Sequence, residues 1–246
     1  VAQVLVAAAF VPSAPVLVPE LSGPGVAEIL PIRDAAHAVC DQLAAQASRW
    51  VVVGIGDPAV PVAARGTFVG FGAGLEVEID PQTPGDPDPS MPTSVLLAGW
   101  LVGAVDPRPQ LTVTLVDAQT SAADSAELGR VLGAALASTD EPVGLLVVAD
   151  GATTLGPKAP GGEQAGAAAL QTVIDNALGS ADLAALAALD EQACTALGVS
   201  GRAVWQLVAG AVAGAGVDRA ALDGRLLVAA APFGVGYVVA RWDVRC

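Results

Sequence analysis

The chain has 246 residues, with 25 acids against 11 lysines and arginines, for a formal net charge of −14. That balance argues against nucleic acid and anionic membrane as partners, since neither phosphate backbone nor lipid headgroup would be attracted. It is 53% hydrophobic, much of it alanine, yet no run reaches the ~20 apolar residues of a spanning helix.

In chain order, the first apolar run, residues 4–10, has no basic residue ahead of it and reads as a β-strand rather than a secretory signal. It stops at Pro12-Ser13-Ala14-Pro15, and a second short apolar run ends on the acid Glu20. A helix over 33–49 places Ala36, Val39, Cys40 and Leu43 on one face. His37, the single histidine, falls on the opposite stripe with Asp34 and Asp41, which reads as a solvated face. A strand over 50–54 then enters Gly54-Ile55-Gly56-Asp57-Pro58-Ala59. This matches a loose dinucleotide fingerprint, but Pro58 and Pro61 oppose the helix that the motif requires. Strands over 67–71 and 75–79 lead into a loop rich in Pro and Asp, 80–93. Next come a buried helix over 94–105, a strand over 111–116, and a helix over 121–137. Ser121, Asp124 and Glu127 suit the N-terminus of that last helix.

The strand over 143–149 is apolar on both faces, as is Val51-Val52-Val53, the pattern of central strands covered by helices on both sides. It runs into Asp150-Gly151 and a loop that holds the single lysine, Lys158, among prolines and glycines. An acid at the C-terminal end of a strand beside such a loop suits proton transfer or ligand binding. The alternative is that Asp150 caps a turn and Lys158 is solvated. Helices over 164–178, 181–197 and 202–213 follow, with Gly198 as a C-cap and Ser200 as the N-cap of the last. Arg202 reads either as a clamp for a ligand carboxylate or as a side chain snorkelling beside a packed Trp205. Strands over 226–230 and 235–242 close the chain, the second with glycines that suggest close backbone approach or a bulge. Alternating strands and helices predict a layered α/β domain. Cys40, Cys194 and Cys246 are odd in number and widely spaced, with no CxxC, and read as reduced thiols of a cytoplasmic protein. No G-x-S-x-G stretch supports a serine triad.

Five stretches in order carry a resemblance: "PSAPVLVPELSG", "VVVGIGD", "ADG" followed by "KAPG", "GRAVWQ" and "APFGVGY". Together they resemble the class III extradiol ring-cleavage dioxygenases, specifically the catalytic B-subunit (LigB-like) family. The resemblance implies a single three-layer α/β/α domain over 1–246, built around a mostly parallel or mixed sheet. It also implies Fe(II) held by two histidines and a glutamate, a further histidine as acid/base, and opening of catechol rings with O₂. Here Ser13 stands where the first histidine belongs, 54–57 lacks the second, and 149–152 lacks the third. A neutral hydroxyl is a poor iron(II) ligand.

The expectation is therefore a LigB-like protein without iron, holding neither metal nor cofactor, that binds a small molecule or a protein partner. The alternative is an extradiol-type enzyme with an atypical metal site, or a metal-free catalyst using Asp57, Asp150 or Lys158. Ser13, Asp57, Asp150, Lys158 and Arg202 are the candidate cleft residues, and two acids with two bases suit a small polar or carboxylate-bearing ligand. With charged residues only 15% of the chain, an apolar patch should drive assembly into a homodimer or larger.

Overall fold

The computed structural model describes residues 4–23 and 26–245. Cys246 and Val1, Ala2 and Gln3, ahead of the opening run, lie outside the described residues. The chain runs β1 (Leu5–Val11), α1 (Pro19–Ser22), α2 (Leu30–Ala44), β2 (Arg49–Ile55), a small hairpin of β3 (Arg65–Thr67) and β4 (Glu76–Glu78), then α3 (Thr93–Val102) and β5 (Gln110–Val116). It continues with α4 (Ala122–Ala137), β6 (Val143–Val148), α5 (Ala167–Gly179), α6 (Leu183–Ala187), α7 (Glu191–Ala196), α8 (Arg202–Gly214), β7 (Leu222–Ala230) and β8 (Tyr237–Val244).

The main sheet has the order β5-β2-β6-β1-β8-β7. Its first four strands are parallel, while β8 pairs antiparallel with both β1 and β7. Helices cover both faces, giving a three-layer α/β/α sandwich. The doubly apolar strands explain why. All six residues of β6 are buried; Leu145 and Val147 join the core under α5–α8, and Leu146 and Val148 join the core under α2 and α3. A strand buried on both faces needs a helical layer on each.

One contact was not foreseen. Gly129 and Gly133 on α4 face Gly210 and Gly214 on α8, each pair four residues apart and so on one helix face. A Cβ on either α4 glycine would run into the α8 backbone at Leu207 or Ala211, and one on either α8 glycine into the α4 backbone at Ala126 or Arg130. The two helices therefore meet backbone on backbone.

Several local expectations change. The first long helix starts and ends earlier, with Ile32 and Arg33 buried near its start. The 67–71 strand is a short strand followed by a 3-10 turn, Phe68–Phe71. The 181–197 helix is two helices, because Asp182 and Asp190 each cap a new N-terminus with their carboxylates. Ser200 does not cap α8; the cap position is Gly201, with no side-chain bond. Gly234 and Gly236 precede β8 rather than lying within it. His37 is half-buried and packs edge-on to Trp100, centroids 4.8 Å apart, and burial lowers its pKa. No helix among the described residues is long and apolar enough to cross a membrane.

Candidate functional site

Parallel strands β1, β2 and β6 all end on one edge of the sheet, so the turns that follow them gather there. β1 and β6 are neighbours, and their turns are joined directly: Ser13 N–H donates to Asp150 Oδ1 at 2.9 Å. Pro12 and Pro15 have no N–H to give, so Ser13 supplies one of the few main-chain donors in this turn. Asp150 is held by its backbone too, since its carbonyl accepts from Gly201 N–H at 3.0 Å, at the start of α8. The loop beyond is fastened further on. Gly151 N–H donates to Gly236 O, Gly236 N–H to Ala152 O, and Ala152 N–H to the buried Gln171 Oε1 at 2.8 Å. Gln171 Nε2 in turn donates to Asp175 Oδ1 at 2.6 Å.

A cavity of about 390 Å³ opens above this junction, lined by Ser13, Pro15, Ile55, Phe71, Pro92, Thr93, Ser94, Ala149 and Ser200. Its walls bear hydroxyls and apolar groups, and no charged side chain lines it. Ser94 is buried and committed, its Oγ donating to Ile55 O at 2.8 Å. Gly54 is required by the same contact: a Cβ there would lie 2.5 Å from Ser94 Cβ. Gly54, inside β2, thus admits α3, and Gly56 just beyond it lies against Leu115 and Pro92; no helix opens after them, as Pro58 and Pro61 predict.

Asp150 keeps part of its surface in contact with solvent, but desolvation pushes its carboxyl up to about 7, against the Ser13 hydrogen bond that pulls it down. Burial, and then the neighbouring Asp150, push the Tyr237 phenol above its ordinary value.

Of the five candidate residues, Ser13 and Asp150 come together. Asp57 is exposed, accepts from Ala59 N–H at 2.8 Å, and lines a neighbouring cavity of about 230 Å³ with Asp88 and Met91, to which Pro92 also contributes. Lys158 is exposed on its loop and lines neither cavity. Arg202 neither snorkels nor reaches the cavity. It is 3% exposed; Nη1 donates to Gln206 Oε1 at 2.8 Å, and Nη2 donates to Ala118 O at 3.0 Å and Thr120 O at 2.8 Å. It ties α8 to the connection between β5 and α4.

No family model matches the chain, and no curated protein matches it. Among solved structures it is similar to the uncharacterized protein JW3007 from Escherichia coli K12, with a TM-score of 0.52 and 15% identity over 96% of this chain and 99% of that one. That likeness shows the fold.

The iron that the family resemblance implies does not suit this donor set. The turn after β1 offers a hydroxyl, and the single histidine of the chain packs against Trp100 between α2 and α3. Among the described residues, no three His, Cys, Asp or Glu side chains group in a way that could hold a metal ion. Phe71, Thr93, Ser94 and Ser200 are the lining residues that sequence reasoning missed. The sequence pattern puts Phe71 in a strand, Thr93 at the end of the Pro/Asp loop and Ser94 at the start of a buried helix. The pairing of Gly54 with a small residue on the helix packed against it was the available signal.

Proposed function

We propose that this chain is a LigB-like protein that has lost the iron site and binds a small, polar, uncharged molecule in the cavity above Ser13 and Asp150. The observation that carries this reading is the cavity itself, framed by the turns after β1 and β6 and edged with Ser13, Thr93 and Ser200 hydroxyls. Concave sites of a few hundred Å³ with apolar walls and a few polar groups are ordinary small-ligand sites. A carboxylate-bearing ligand loses its support, because Arg202 spends its donors on backbone carbonyls and Lys158 is solvated. A thermal-shift screen of neutral polyols, phenols and small carboxylates tests this on the wild type and on Ser200→Trp, which fills the cavity. Neutral compounds should raise the melting temperature of the wild type and not of the variant. If no compound does so, a protein-interaction role gains ground.

A second reading has one observation in its favour: the Asp150 carboxyl, near 7, is in the range where a group can both give and take a proton near neutral pH. On that reading the chain is a metal-free acid/base catalyst. It requires turnover of a cavity ligand that Asp150→Asn abolishes while binding persists. Protein purified without chelator should carry well under one equivalent of iron; stoichiometric iron with catechol-dependent O₂ uptake would favour the dioxygenase alternative instead. Self-association belongs to the same proposal, since Leu128 and Val131 on α4 and Leu226 and Leu227 on β7 are exposed apolar residues. Light scattering at micromolar concentration should give a dimer or larger.

A further inference from the structure

The two edges of the main sheet are built differently. β7 carries Asp223 and Arg225 along its length and a register irregularity between Leu226 and Val228, features that discourage another strand from adding to it. β5, at the other edge, reads Gln-Leu-Thr-Val-Thr-Leu-Val, with no charge, no proline and no bulge against β2. Every second residue of such an edge turns its backbone N–H and C=O outward with no strand to receive them. Beside β5 the structure leaves not a flat surface but a trough of about 660 Å³. Leu111–Leu115 form one wall, and the proline-bearing segment from Pro58 to Ala64 forms the other. Five wall residues correspond to roughly 16 Å of extended chain at about 3.3 Å each.

The charge of the trough is one-sided. Asp80 lines it, with its carboxylate accepting from Gln82 N–H at 2.9 Å and Thr83 Oγ1 at 2.5 Å, bonds that hold it below the usual carboxylate range. Asp57 and Asp88 line the smaller cavity that shares Val60, Pro61, Val62, Ala63 and Leu115 with the trough. No lysine, arginine or histidine lines either one.

We propose that the β5 edge is a docking site for an extended basic peptide segment of a partner protein, which adds a strand to the sheet. Its alternate apolar side chains rest on Val60, Val62 and Val113, and its lysines or arginines meet Asp57, Asp80 and Asp88. Main-chain hydrogen bonds to an edge strand supply affinity, and pockets for alternate side chains supply specificity. A second copy of this chain is disfavoured as the occupant, because it would bring the same uncharged strand and the same acids, setting carboxylate against carboxylate.

Two labelled heptapeptide pools test the proposal by fluorescence polarisation on the intact protein. One alternates Lys or Arg with Val, Ile or Leu; the other alternates Glu with the same apolar residues. The basic pool should bind, with affinity falling as salt rises, and should slow hydrogen exchange at the amides of residues 110–116. The triple variant Asp57→Asn, Asp80→Asn, Asp88→Asn should weaken binding at least tenfold. Thr112→Arg, a surface change on β5, should weaken it comparably, while circular dichroism remains that of the wild type. Equal binding of the acidic pool, no binding of the basic pool, binding without protection of β5, or protection of β5 by concentration-dependent dimerisation would each overturn it.

Discussion

Two ionisable side chains near the start of α8, the buried Arg202 and the partly buried Asp150, are treated in opposite ways. Arg202 gives its donors to three acceptors, Gln206 Oε1 and the carbonyls of Ala118 and Thr120. Asp150 receives one hydrogen bond, from the main chain of Ser13, and its neighbours Ser13 and Ala149 line a cavity that its own side chain does not. A charge whose hydrogen-bonding capacity is used within the fold is a structural clamp. A charge left with one partner and little water keeps an unusual protonation equilibrium, and such groups concentrate where proteins do chemistry or bind ligands. The single main-chain bond from Gly201 N–H to Asp150 O links the two regions, so the clamp also positions the acid.

Removing the clamp should have the largest effect. Arg202→Met preserves bulk but leaves Ala118 O, Thr120 O and Gln206 Oε1 without their donor. With each buried polar group left unpaired costing about 1–3 kcal/mol, the expected loss is roughly 3–5 kcal/mol in urea unfolding. Arg202→Lys should recover little, because a single ammonium cannot reproduce the planar fork. A loss below about 1 kcal/mol for Arg202→Met would break the contrast between clamp and poised acid.

Much of the architecture was legible in the sequence because it rests on burial. Val51-Val52-Val53 and Leu145-Leu146-Val147-Val148 had to be covered on both faces, and Ser121 does accept from Asp124 N–H as a cap. The turns at Ser13 and Asp150 were legible as strand ends. What escaped depends on tertiary partners. The glycines at 129, 133, 210 and 214 have meaning only once α4 lies on α8. Arg202 could be a ligand clamp or a structural one until the carbonyls of Ala118 and Thr120, more than eighty residues earlier, were placed beside it. The break between α6 and α7 was carried by the local carboxylate cap of Asp190, which a continuous leucine periodicity concealed.

The next test concerns Asp150, whose folded-state pKa is raised. A raised carboxyl contributes stability that is fully present below its ordinary value near 4 and is lost as pH rises through about 7. The wild type should therefore lose stability across that window. Asp150→Asn keeps an oxygen for the Ser13 N–H but cannot ionise, so this component of the pH dependence should vanish. The variant should be the more stable protein above pH 7. At about 1.4 kcal/mol per pH unit, reduced by the partial contact of the carboxyl with solvent, the gain is roughly 2 kcal/mol. Parallel pH–stability curves for the two proteins would mean that Asp150 is solvated and ordinary.

The smallest effect, and the finest division between the two kinds of residue, is expected at Ser13. Its main-chain N–H, not its hydroxyl, holds Asp150, and its side chain has no hydrogen bond to the protein among those that fasten the turn. Ser13→Ala should thus change stability by no more than about 0.5 kcal/mol, the range of a substitution that disturbs no buried contact. It should also leave the titration of Asp150 near 7, because the donor remains. What it removes is a hydroxyl from the cavity wall. A bound neutral ligand that uses it should lose roughly 0.5–1.5 kcal/mol of affinity, a factor of about two to ten. If Ser13→Ala instead lowers stability by more than 1 kcal/mol, or moves the Asp150 midpoint seen by NMR titration, the hydroxyl belongs to the scaffold rather than to the ligand site.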